Sequence, residues 1–150
     1  FLFLSLFLGG GILIFKWIHR CNKNVRALGS KQMKFSPGWS VGWFFVPIAN
    51  LFKPFHVMNE IWSASHSPND WSANEKPKAI LKWWILWIAS NSVPQISSNL
   101  EEKAQTIDEF MKISFLNLGG EVLWIILCFA FISIVTKISQ AQIGQKEPTD

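Results

Sequence analysis

The sequence predicts an all-α, multi-spanning helical integral membrane protein, and three observations predict it. Residues 1–15 (FLFLSLFLGGGILIF) carry no charge, and a second run, 122–136 (VLWIILCFAFISIVT), is equally clean. Nine tryptophans and thirteen phenylalanines accompany these runs in a chain of 150 residues. The charged side chains fall almost wholly between the runs, as they do when apolar helices cross a bilayer and polar loops join them. This length is one domain's worth, so the expectation is a single helical membrane domain over residues 1–140 and a polar, disordered tail over 141–150.

The first span covers about 1–18, and eighteen residues of helix rise roughly 27 Å, close to the hydrocarbon thickness. Gly9, Gly10 and Gly11 in its middle allow close helix approach in lipid. Trp17 sits where an interfacial anchor belongs, and Lys16, His19, Arg20, Lys23, Arg26, Lys31 and Lys34 follow it. Residues 16–34 therefore read as a basic loop on the cytoplasmic side. The chain opens on Phe1, so its natural start is expected upstream. No basic segment precedes the apolar run and no small-x-small site follows it, which argues against a signal peptide.

The stretch 35–65 (FSPGWSVGWFFVPIANLFKPFHVMNEIWSAS) organises the rest. Pro37, Gly38, Trp39, Gly42 and Trp43 pair small residues with large rings at a spacing of four, and Pro47 and Pro54 break the hydrogen-bond ladder. Broken backbone at membrane depth needs protein or a wet cavity to satisfy it. Trp39 to Phe52 is fourteen residues, short for a span, so 36–52 reads as a re-entrant segment, with an amphipathic helix over 54–65 lying in the interface after it. The distribution of Lys and Arg agrees. With re-entry, six fall inside in 16–34, four in 53–82 and two in the tail, leaving Lys103 and Lys112 outside; with a crossing the split is eight to six.

A polar loop over 63–78 follows, in which Trp71 is expected to matter less than Pro47 and Asn50. The second span, about 79–96, opens with Lys82, Trp83, Trp84 and Trp87 and is expected to end or kink at Pro94. An acidic connector (Glu101, Glu102, Asp108, Glu109) leads to the last span, about 113–136, closed by Lys137.

At residues 22–62 the run from Asn22 and Asn24 through Ala27-Leu28-Gly29, FSPGWSVGWFFVPIANLFKP and MNEIW (58–62) resembles the bacterial membrane-protein family called domain of unknown function 4328. The pair Trp83-Trp84 and the last span with its closing basic residue and Gln140 fit the same pattern. The resemblance implies a multi-spanning protein of the bacterial cytoplasmic membrane and transfers no catalytic residue.

Chemistry-bearing residues are few. Asn50, Lys53, His56, Glu60 and Glu121 form the expected polar site. Asn50 could satisfy broken backbone, and Lys53 could snorkel to phosphate. His56 and Glu60, four apart, share a helix face as half of a metal site at most. Glu121 opens the last span beside Gly119 and Gly120, where a charge near the bilayer centre would cost about 2.5–3.5 kcal/mol. No G-x-S-x-G, H-E-x-x-H, C-x-x-C or phosphate loop occurs, so no catalytic residue, metal site or cofactor is expected. Cys21 and Cys128 should lie at different depths and stay unbridged. With a net charge of +4, the expected partners are anionic lipid headgroups and a second copy or another membrane protein, not nucleic acid. The expected role is a non-enzymatic interaction or scaffold module; the alternative is a small transporter or lipid-handling protein.

Overall fold

A computed structural model of the chain describes residues 2–73 and 77–145. Phe1, residues 74–76 with Lys76, and the tail 146–150 with Lys146 lie outside the described residues. Every regular element among the described residues is helical: α1 (Leu2–Ala27), α2 (Trp39–Gly42), α3 (Lys53–His66), α4 (Lys78–Glu101) and α5 (Ile107–Gly144), with 3-10 turns at Trp43–Phe45, Ala49–Leu51 and Trp71–Ala73. The chain divides into two compact units, Phe1–Pro77 with Thr136–Asp150, and Lys78–Val135.

In the first unit α1 ends on Gly29, whose φ of +103° only glycine adopts without strain. The Ser30 N–H then reaches back to the Val25 carbonyl at 3.1 Å, closing the helix in the way a left-handed glycine allows. Ile18 and Val25 of α1, Val57, Met58, Ile61 and Ala64 of α3, and Ile138 of α5 are buried together in this unit. Trp17 Nε1 donates to Ser139 Oγ at 3.4 Å and Asn24 Nδ2 to Gln142 Oε1 at 3.0 Å. Both numbers rise together, so these stretches of α1 and α5 run parallel. The last helix thus continues past residue 140, where a polar tail was expected, because Gln142 is buried at 4% exposure against its partners.

The proline-broken segment, part of the same unit, leaves α1 and returns to α3. Phe15 of α1 packs on Phe44 and Phe45 (ring centroids 5.3 and 5.1 Å), while Lys53 Nζ lies 5.9 Å from the Phe35 ring centroid. Residues 35 and 53 are therefore neighbours, and 36–52 is a closed excursion between them. At its tip Ile48 holds φ +66° and ψ −52°, with the Ala49 N–H bonded to the Pro47 carbonyl at 2.7 Å. That is the strained, positive-φ form of the γ-turn, costly for a β-branched residue. Ile48 is 77% exposed, and Trp39, Phe45, Leu51 and Phe52 are exposed with it. Helix α3 forms where the sequence expects it, yet it is central rather than peripheral: Asn59 and Glu60, expected on an outward polar face, are buried with Val57, Met58 and Ile61. Trp71 is also anchored, its Nε1 donating to the Lys31 carbonyl at 2.9 Å and its ring packing on Val25, Met33 and Ala64.

The second unit is an antiparallel hairpin of α4 with α5. Ser97 Oγ donates to Asn117 Oδ1, and Trp83 packs on Phe131 at 5.5 Å. Between these contacts Gly120 is so close to α4 that a Cβ there would meet Val93 Cγ1 at 2.8 Å. Helix α4 runs through Pro94 instead of ending there. Neighbouring polar groups turn back on the helix: Asn91 Nδ2 donates to the Trp87 carbonyl (2.7 Å) and Ser92 Oγ to that of Ile88 (2.8 Å). At the start of α5, Thr106 and Glu109 form a capping box. Glu109 Oε2 accepts from the Gln105 and Thr106 N–H groups (2.8 and 3.0 Å), and these bonds hold its carboxyl below the usual range. Among the described residues α5 is the one helix long and apolar enough to cross a membrane, with a mean hydropathy of 2.3 over its best window, most of which is exposed.

Gly120→Leu is expected to lower hairpin stability by about 1–3 kcal/mol through overpacking against Val93. Gly119→Leu gains the same helix propensity where nothing obstructs a Cβ. Thermal unfolding of the two variants in detergent separates them: Gly120→Leu should melt below wild type and Gly119→Leu should not.

Candidate functional site

The site grows from the end of α1. Asn22 is fully buried, and its Nδ2 donates to the Phe35 carbonyl at 3.1 Å while its Oδ1 accepts from Arg26 Nε at 3.1 Å. Arg26 Nη2 reaches the same Phe35 carbonyl at 2.8 Å. From the other side, Glu60 Oε1 accepts the Phe35 N–H at 3.2 Å. Both backbone groups of Phe35 are thus fixed by side chains of α1 and α3, which pins the entrance of the broken segment. One turn further, Gln142 of α5 spends its whole amide: Oε1 accepts from Asn24, and Nε2 donates to the Cys21 carbonyl (3.2 Å) and Ser65 Oγ (2.9 Å). Ser65 passes its own proton to the Ile61 carbonyl at 2.7 Å. Burial pushes the Cys21 thiol up to about 12, so it stays protonated and inert as a nucleophile.

Glu60, only 5% exposed, has its carboxyl raised by burial, against the opposing effects of the Phe35 and Lys34 N–H groups and of the Arg26 and Lys34 charges. It forms part of the wall of a cavity of about 440 Å³, together with Lys34, Lys53, His56, Asn59, Ser63 and Trp71. A second cavity of about 460 Å³, with Lys31, Gln32 and Asn69 in its wall, shares Lys34, Trp71 and Ser72 with the first. Lys31, Lys34 and Lys53 give the walls of the two cavities a basic character. Lys53 stands between the first cavity and the apolar excursion, its ammonium 5.2 Å from the Trp43 ring centroid in a cation–π contact.

Of the residues expected at a polar site, Lys53, His56 and Glu60 line the first cavity. Asn50 does not line it, and its side-chain oxygen, expected to satisfy broken backbone, is buried without a partner among the described residues. Its N–H instead joins the Val46 carbonyl at 2.9 Å. Glu121 belongs to the second unit and borders a shallow groove of about 220 Å³ with Trp124, Ile125 and Cys128 on the exposed face of α5. The glycine–tryptophan repeat serves local packing: the Trp39 ring rests on Gly42, where a Cβ would meet Cε3 at 3.0 Å, and tilts against Trp43 at 4.8 Å. Among the described residues no group of three or more His, Cys, Asp or Glu side chains could hold a metal ion. Asn22, Arg26 and Gln142 were not among the expected site residues. Asn22 was visible only as part of the resemblance, and Gln142 was masked by the polar composition after residue 140.

A family model described as Domain of unknown function (DUF4328) matches residues 1–140. No curated protein and no solved structure matches the chain.

Two outcomes test this geometry. Gln142→Leu leaves buried partners on α1 and α3 unmatched and should cost about 2–3 kcal/mol, whereas Gln140→Leu, at an exposed position, should cost little; detergent melting of both variants measures the difference. For Glu60, the raised folded-state pKa means the native chain holds the proton more tightly than the unfolded one. Its contribution to stability is fully present below the unfolded pKa and is lost as pH rises through the folded pKa. Glu60→Gln keeps an acceptor for the Phe35 N–H and lacks this loss, so its stability relative to wild type should climb with pH above 4.5, measured by melting from about pH 4 to about pH 8.

Proposed function

We propose, from the premise that the chain belongs to the Domain of unknown function (DUF4328) family over residues 1–140, that it works as a non-enzymatic integral membrane module. Its spans are the apolar parts of α1, α4 and α5. The segment 36–52 re-enters the inner leaflet as an apolar wedge, and the polar groups around Phe35 lie at the cytoplasmic interface, where they engage lipids or membrane partners.

The single observation that carries this reading is the parallel pairing of Trp17 with Ser139 and Asn24 with Gln142. Two stretches at one level and in one direction must be separated by an even number of crossings. With the hairpin of α4 and α5 supplying two, a broken segment that turns back without crossing keeps that number even, which supports re-entry. The Phe35–Glu60 hydrogen bond and the Lys53–Phe35 contact, which close that segment at its base, support the same arrangement. With 16–34 inside, the excess of Lys and Arg also falls on the cytoplasmic side.

The transporter or lipid-handling alternative draws on the cleft that Lys53, His56 and Glu60 share. Its expectation that Asn50 joins them has no support in the lining.

The test is cysteine accessibility in intact cells, with Cys21 and Cys128 replaced by alanine and an impermeant thiol reagent outside. Ser98→Cys should label directly. Ser67→Cys should label only after permeabilisation. Labelling of Ser67→Cys in intact cells would mean the broken segment crosses and would overturn the arrangement.

A further inference from the structure

We infer that the cleft between Lys34 and Lys53 binds the phosphate of an anionic glycerophospholipid, with the acyl chains lying along the apolar wedge of residues 45–52.

Charge is the first argument. Lys31, Lys34 and Lys53 border two cavities that share a wall, and none of the three forms an ion pair with a carboxylate among the described residues. The one carboxylate in the lining, Glu60, turns Oε1 to the Phe35 N–H. Three ammonium groups thus border the cavities against a single lining carboxylate, an excess of positive charge that suits a phosphate. Lys53 is held near its place by the Phe35 and Trp43 rings, which lowers the entropy lost when it closes on an anion. Ser63 and Ser72, also in the wall, offer hydroxyls to the same ligand.

Amphipathicity is the second. Phe45, Ile48, Leu51 and Phe52 are exposed, and Lys53 follows them directly in the chain. The surface changes from apolar to basic within one residue, as a lipid does at the glycerol–phosphate junction. A free phosphate ester would use the lysines and leave the wedge unused; a phospholipid matches both. A volume of about 440 Å³ falls in the range of ligand sites generally.

The inference rests on the proposed arrangement only in assigning the cleft to the inner leaflet. A lipid of the other leaflet could fill it if the topology were reversed, so failure of the labelling test and failure of lipid binding are separate results. The full chain in detergent is titrated with short-chain phosphatidylglycerol, short-chain phosphatidylcholine, glycerol phosphate and inorganic phosphate, and binding is read as the shift in melting midpoint. Phosphatidylglycerol should bind most tightly. The pair Lys34→Gln with Lys53→Gln should weaken it about tenfold or more, and Lys82→Gln, outside the cleft, should leave it unchanged. Lys34→Arg with Lys53→Arg keeps both charges and should retain binding, which separates loss of the site from loss of the fold; circular dichroism checks the latter.

Three results would overturn the inference. One is equal affinity of wild type and the glutamine pair. Another is equal binding of phosphatidylcholine and phosphatidylglycerol. The third is glycerol phosphate or inorganic phosphate binding as tightly as the lipid, which would assign the lysines to a soluble phosphate.

Discussion

Phe35 is the residue on which the first unit turns. Its carbonyl is claimed by Asn22 and Arg26 and its N–H by Glu60, so a loop residue is held as firmly as one inside a helix. A buried backbone group without a partner would cost on the order of 1–3 kcal/mol, and here two are matched by side chains that are themselves buried or braced. The proline-broken segment can be irregular because its base is not. The positive φ of Ile48 and the Asn50 oxygen, buried without a partner among the described residues, lie far along the excursion, away from that base.

The two units settle their polar groups in different ways. In the first, side chains cross between elements: Asn22 to the loop, Glu60 to the loop, Gln142 to both α1 and α3. In the second, Asn91, Ser92 and Ser114 bond to carbonyls four residues back on their own helix. Across the hairpin Ser97 bonds to Asn117.

The helical class, the position of α3 and the breaks near Pro47 and Pro54 were legible in the sequence, because apolar periodicity and proline act locally. The capping box was legible too, since Thr106 and Glu109 stand at the required spacing, although acidity alone drew attention to that connector. Glu60 was not: a glutamate on an amphipathic pattern reads as outward-facing, and only the tertiary position of Phe35 makes it a buried acceptor. Gln142 was hidden for the same reason, its value coming from Cys21, Asn24 and Ser65, residues more than seventy positions away. Of the two expectations for Pro94, an end or a kink, the end does not occur. Proline removes one helix bond, and α4 continues around the loss.

The first unit is discontinuous, and this bears on how the protein is made. Its segment up to Pro77 leaves the ribosome with the partners of Gln142 already in place, yet Gln142 itself follows only after the hairpin has been synthesised. At roughly 5–20 residues per second, the interval is on the order of several seconds. During that time Gln142 is not yet there to bridge α1 and α3 through the Cys21 carbonyl, Asn24 and Ser65. The end of α5 is thus the last piece of this network to be made, and the first unit gains that bridge only after the hairpin has been synthesised.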